Sequence, residues 1–226
     1  MPNFKNILVV AAHPDDEVLG CGGTLYKLRK KGAKITTLFL SDGESSRKKP
    51  KISKLIQDRK KQAFKAGKII GIKKIIFGDF PDNSMDSIPI LKVIQFIERQ
   101  IKIIKPDTVF THFESDLNVD HQIASKSVIT ACRPMRNQTV KTILFFEILS
   151  SSEWNISSKN KSFKPNYFVD ITKSINFKIQ ALKCYKKEMK KWPHPRSLKG
   201  IKTLAEWRGA SSGYKAAEAF ILGRKK

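Results

Sequence analysis

The stretch Asn6-Ile7-Leu8-Val9-Val10-Ala11-Ala12-His13-Pro14-Asp15-Asp16-Glu17 runs apolar and β-branched from Ile7 to Ala12, then turns abruptly polar. An apolar run without alternation is how a strand buried on both faces of a parallel sheet reads. The polar cluster then falls where that strand ends. In open α/β sheets, binding sites form just beyond the C-terminal ends of the strands.

Working outward, residues 20–31 read as a helix closed by Gly32, and residues 34–40 as a second buried strand. Residues 42–54 have loop character, and residues 54–70 carry helical spacing that stops near Gly71. Short strands are predicted at 74–77 and 107–111, with a helix over 90–104 ended by Pro106 between them. A helix over 119–132, a strand over 141–148 and a short extended piece at 167–170 follow. A helix over 171–187 and a last helix from about Leu198 complete the chain. Strands alternating with helices predict an α/β layered fold on a mainly parallel sheet. No repeat or linker divides the chain, so one domain over 1–226 is expected.

The hydrophobic share of 40% and charged share of 28% fit an ordered globular protein. No apolar run approaches the roughly 18 residues of a membrane span. Met1 to Lys5 lacks the apolar core of a signal peptide, so the cytoplasm is the expected location. Cys21, Cys132 and Cys184 show no CxxC pairing and fit reduced thiols. The net charge is +24, from 44 Lys and Arg against 20 Asp and Glu. Such a surface attracts polyanions. The plainer reading is compositional, with lysines scattered over every helix to solvate the surface. Residues 47–74 hold twelve Lys or Arg and one acid, Asp58. Without zinc-finger spacing, an RNP-like motif or a helix-turn-helix, no specific nucleic-acid partner is expected.

His13 and Asp16 stand three apart on a turn and can face one point. An imidazole nitrogen and a carboxylate oxygen suit zinc. Asp15 can stand beside the metal and accept a proton from water. A catalytic zinc needs a third protein ligand. The chain has four histidines, and His112 and His121 both fall on the side of the sheet where His13 lies. Asp120 can orient the His121 imidazole. The plain alternative makes Asp116 and Asp120 helix caps.

Ala12-His13-Pro14-Asp15-Asp16-Glu17 after a first apolar strand, with Asp116-Leu117-Asn118-Val119-Asp120-His121 after a later one, resembles the PIG-L/LmbE-like family of zinc-dependent N-acetyl-sugar deacetylases. Phe146-Glu147, His194-Pro195-Arg196-Ser197, Arg208-Gly209 and Ala217-Glu218-Ala219-Phe220 extend the resemblance toward the C-terminus. It implies a Rossmann-like three-layer fold, an amino-sugar substrate and frequent self-association; the alternative reading, which the basic surface suits, is a metal-dependent amide hydrolase acting on a phosphorylated or lipid-linked, hence anionic or carrier-linked, substrate. It implies His13, Asp16 and His121 as zinc ligands, a set that other divalent ions also fit. Asp15 would be the general base, Arg59 a substrate-binding arginine, and Asp79 or Asp82 a contact for sugar hydroxyls. Arg196 is read as an anion or sugar binder. The family pattern departs at Asn118, where several members have a histidine. Asn118 could donate to an oxyanion but cannot shuttle a proton, which leaves His194 as the expected substitute.

Overall fold

The computed structural model describes residues 4–46, 50–156 and 162–226. The order of elements is β1 Asn6–Ala11, α1 Asp16–Lys30, β2 Lys34–Ser41, α2 Ile52–Ile70 and β3 Lys74–Phe80, then α3 Ile90–Ile104, β4 Thr108–His112 and α4 Val119–Ala131. After these come β5 Thr142–Phe146, β6 Tyr167–Asp170, α5 Ile175–Leu182, α6 Leu198–Ala210 and β7 Ala217–Lys225. The seven strands form one sheet in the order β3-β2-β1-β4-β5-β7-β6. β1 to β5 pair in parallel, and β7 runs antiparallel to both β5 and β6.

Two apolar cores cover the two faces of this sheet. One joins Ile7, Val9, Phe39 and Phe110 to Val18 and Leu25 of α1, Ala63 and Ile70 of α2, Leu182 of α5 and Ile201 of α6. The other joins Leu8, Val10, Leu38 and Val109 to Val93 and Ile97 of α3 and Ala124 and Val128 of α4. Alternate residues of β1 therefore feed opposite cores, which is why its run is continuously apolar.

Winding reverses at β1. From it the chain goes outward to β2 and β3, then crosses back to β4 and β5. The crevice between the C-terminal ends of β1 and β4 is the switch point where such sheets bind ligands. Both polar motifs lie there, one after each strand.

The structure corrects several expectations. The first helix starts at Asp16, so the polar motif forms its N-terminus. The helix expected over 171–187 is confined to Ile175–Leu182, and the remainder turns. The last strand, β7, follows where no strand was expected. At Gly20 a Cβ would lie 2.4 Å from Phe146 Cδ2, so the glycine lets α1 pack against β5.

Candidate active site

His13 Nδ1, Asp16 Oδ2 and His121 Nε2 form a triangle with all three sides 3.3 Å. The other nitrogen of each ring is already committed. His13 Nε2–H donates to Asp120 Oδ2 at 3.1 Å, and His121 Nδ1–H donates to Asp116 Oδ1 at 3.0 Å. With those protons placed outward, two imidazole lone pairs and a carboxylate oxygen converge on one point. Such a set repels itself unless a cation lies among them. A tetrahedral ion with bonds of about 2.0–2.1 Å holds its ligand atoms about 3.3 Å apart. Asp16 Oδ1 is buried and has no hydrogen-bond partner, a second sign of a group suited to a cation. His13, Asp16 and His121 thus fit a divalent metal.

The protonation equilibria carry the same signature. Burial alone would lower His13, but its bonds to Asp120 and Asp16 outweigh it and raise it to about 10. His121, opposed by burial and favoured by Asp16 and Asp116, rises to about 8. Burial disfavours the charge on Asp16, yet the neighbouring imidazoles hold it well below the carboxylate range. The pocket attracts positive charge.

The supporting carboxylates are themselves fixed. Asp120 accepts from Asn83 N at 2.7 Å and Met85 N at 3.0 Å. Asp116 accepts from Asn118 N, Ser152 Oγ and Ser151 Oγ, and despite burial its bond from His121 and these hydroxyls take it down to about 2. Asp120 therefore holds His13 rather than its sequence neighbour His121, which corrects the expected pairing; Asp116 holds His121. His112 is a wall of the site. It stacks on His121 at 3.9 Å between centroids, and its Nε2 accepts from Ala12 N at 2.9 Å. Burial and then His121 push it well below the ordinary histidine value, so it stays neutral.

Asp15 is the residue between strand and helix. Its φ of 135° is strained for any side chain but glycine. Its backbone N–H donates to Glu17 Oε2 at 3.0 Å, and Glu17 Oε1 accepts from Tyr185 Oη at 2.7 Å. Burial raises Glu17 to about 8. The Asp15 carboxylate pairs with Arg196 Nη1 at 3.1 Å. Burial lifts Asp15 to about 7 against the pull of Arg196.

The remaining expected residues lie in varied surroundings. Arg59 is buried; its guanidinium donates to Glu44 at 2.8 Å, to the Pro14 carbonyl at 3.2 Å and to Glu188. Asp82 is buried with Oδ1 3.3 Å from His13 Nε2, and it accepts from Ser46 N at 3.0 Å. Asp79 faces solvent beside Lys60. Asn118 caps α4, accepting from Asp120 N at 2.9 Å, and its amide nitrogen donates to Asn83 Oδ1 at 2.8 Å. His194 Nδ1 accepts from Arg196 N at 3.0 Å, and its ring meets Trp154 edge-on. Arg208 forms a two-bonded pair with Glu147, anchoring α6 to the end of β5.

Glu17, Tyr185 and Glu188 were assigned no role from sequence, and Asp116 only that of a helix cap. Asp116 and Glu17 lie inside the two motifs, so proximity to the ligands was a usable signal. Tyr185 and Glu188 carried none, because their partners Glu17 and Arg59 are 168 and 129 residues away.

Residues 8–132 match the family model described as PIG-L, GlcNAc-PI de-N-acetylase. The chain is 30% identical to the uncharacterized deacetylase YaiS of Escherichia coli, over 80% of this chain and 91% of that one. It is 26% identical to the diacetylchitobiose deacetylase of Thermococcus kodakarensis, over 98% of this chain and 85% of that one. The fold superposes with a TM-score of 0.80 on GalB, the 4-carboxy-2-hydroxymuconate hydratase of Pseudomonas putida, at 20% identity and covering 98% and 97% of the two chains. The last likeness concerns the fold alone, which serves more than one reaction. The family rests on the matched residues, which include His13 and His121. The chain belongs to the PIG-L family of de-N-acetylases.

Proposed function

We propose that this chain is a zinc-dependent hydrolase that removes the N-acetyl group from an amino sugar of the N-acetylglucosamine type, releasing acetate. The observation that carries the reading is the triangle of three inward-facing acceptors on His13, Asp16 and His121. Zinc held there would supply Lewis acidity to the amide carbonyl and to the attacking water, whose pKa falls toward about 7.

Asp15 takes the proton from that water as its oxygen bonds to the acetyl carbon. Arg196 Nη1 pairs with the Asp15 carboxylate at 3.1 Å. Asn118 spends one amide N–H on Asn83, and the second supports the oxyanion. As the C–N bond breaks, the amine takes the proton that Asp15 removed from the water, and His194 assists only as a hydrogen-bond donor. His194 carries its proton on Nε2, since Nδ1 accepts from Arg196 N. The products are acetate and a free amine. Arg59 and Asp82, expected at the sugar, are buried with their polar atoms engaged; we assign them to holding the Pro14–Asp15 turn and the His13 ring. Arg196 is the expected binder that stays partly exposed, and it is the one we keep for substrate contact.

The three free cysteines support a reducing compartment such as the cytoplasm. Among the described residues, no helix is long and apolar enough to cross a membrane. The test pairs metal analysis with acetate release from N-acetylglucosamine, diacetylchitobiose and phosphorylated or lipid-linked derivatives. About one zinc per chain, with release abolished by chelator and restored by zinc, is expected. Failure to bind any divalent metal would overturn the reading. Activity confined to the phosphorylated or lipid-linked compounds would move the substrate to that class.

A further inference from the structure

The charge of this protein is not spread evenly. Residues 84–139, which contain α3 and α4, hold seven Lys or Arg and six Asp or Glu. The rest of the chain holds 37 basic and 14 acidic residues. Nearly the whole excess therefore lies outside the segment that carries α3 and α4. The excess is uneven, although every helix carries at least one lysine.

The density peaks beside the active site. Residues 183–202, which join α5 to α6 and carry Arg196 to Asp15, contain eight Lys or Arg and one acid. That acid, Glu188, pairs inward with Arg59 and leaves the surface lysines unneutralised. Lys183, Lys186, Lys187, Lys190, Lys191 and Lys199 are all exposed.

Large apolar side chains face solvent at the same end. Trp192 is 53% exposed, with Lys199 Nζ 4.4 Å from its ring centroid. Trp154 is 45% exposed and rests against His194, and Ile156, two residues on, is 93% exposed. Asn155 donates to Ser115 O at 2.7 Å, which brings this loop beside Leu117, 52% exposed. The three loops that bring Ser151 and Ser152 to Asp116, Asp116 to His121 and Arg196 to Asp15 thus each carry an exposed apolar side chain. Solvated basic surface alone does not explain tryptophan and isoleucine standing in water.

We propose that this end of the molecule, with Trp192, Ile156 and the lysines of residues 183–202, docks on an anionic lipid bilayer. Lysines accumulate at a negative leaflet, and tryptophan and isoleucine enter the boundary between headgroups and acyl chains. A nucleic acid would meet the same charge and a stacking face on the tryptophans, but it offers Ile156 and Leu117 no apolar medium to enter. Docking would bring the mouth of the site to the membrane plane. The proposal does not depend on the reaction, because lipid binding is measured without substrate.

The test uses the full chain with phosphatidylcholine vesicles containing or lacking phosphatidylglycerol, read by co-sedimentation and tryptophan emission. Binding to the anionic vesicles alone is expected, with a blue shift in emission. Lys190→Glu with Lys191→Glu should weaken partitioning by on the order of a hundredfold. Trp192→Ala with Ile156→Ser should weaken it about tenfold while leaving the salt dependence unchanged. Lys102→Glu with Lys105→Glu, on the near-neutral side, should change nothing. No binding at physiological salt would overturn the proposal. So would an equal loss from the Lys102 and Lys105 pair, indifference to the apolar pair, or tighter binding to random-sequence RNA than to the vesicles.

Discussion

Asp15 is held from two directions, and the two supports differ in kind. The turn after β1 is local: His13, Asp15 and Asp16 share four residues, and strand, turn and helix start place them together. The C-terminal support is long-range. Arg196 reaches the Asp15 carboxylate and Tyr185, through Glu17, reaches its backbone N–H, from 181 and 170 residues away. A short motif can bring reacting groups to one place. Holding a strained φ of 135° and a buried carboxylate requires groups from elsewhere in the fold.

The sharpest break between the two comes from removing the metal set and the base separately. His121→Ala should lose the metal, and with it all turnover, as read by metal analysis after gel filtration. Asp15→Asn preserves the shape of the turn but cannot take a proton. It should retain about one metal per chain and lose on the order of a thousandfold in kcat. A variant that keeps full activity would remove Asp15 as base, and unchanged metal content in His121→Ala would remove that ligand.

A smaller effect tests the carboxylates behind the rings. Asp116→Asn leaves His121 facing an amide whose orientation Ser151 and Ser152 must reset. Zinc affinity, measured by competition with a chromogenic chelator, should fall about 10–100-fold. An unchanged affinity would mean that the protein packing alone fixes the ring.

How much of this was legible in the chain follows the same division. The parallel sheet was legible because β1 and β2 bury both faces and read as unbroken apolar runs. The convergence of the two motifs was legible because each follows a strand that feeds the switch point. The exchange of partners was not: His13 is held by Asp120, 107 residues away, while Asp120 adjoins the other ligand in sequence. β7 was illegible because Glu218 interrupts its apolar pattern. That carboxylate is buried only because Lys178 Nζ, at 2.7 Å, and the N–H groups of Gly23 and Thr24 satisfy it. The early end of α5 was likewise hidden. Residues 183–187 are mostly good helix formers, yet the chain turns there and Tyr185 and Glu188 reach Glu17 and Arg59, so tertiary contacts override propensity.

Tyr185 gives the finest test of long-range support, because it touches neither ligand set nor substrate side. Its hydroxyl donates to Glu17 in a fully buried setting, and Glu17 in turn accepts the N–H of Asp15. Tyr185→Phe removes one hydrogen bond and little volume, so a stability cost of about 1–2 kcal/mol is expected, measured by denaturant melting. If Glu17 only fills space, the loss ends there. If the chain of contacts fixes the Asp15 backbone, kcat should also fall several-fold with KM and metal content unchanged, since the turn can then relax from its strained φ. A stability loss with unaltered kcat would show that the motif holds its own geometry and that the C-terminal support lies in Arg196 alone.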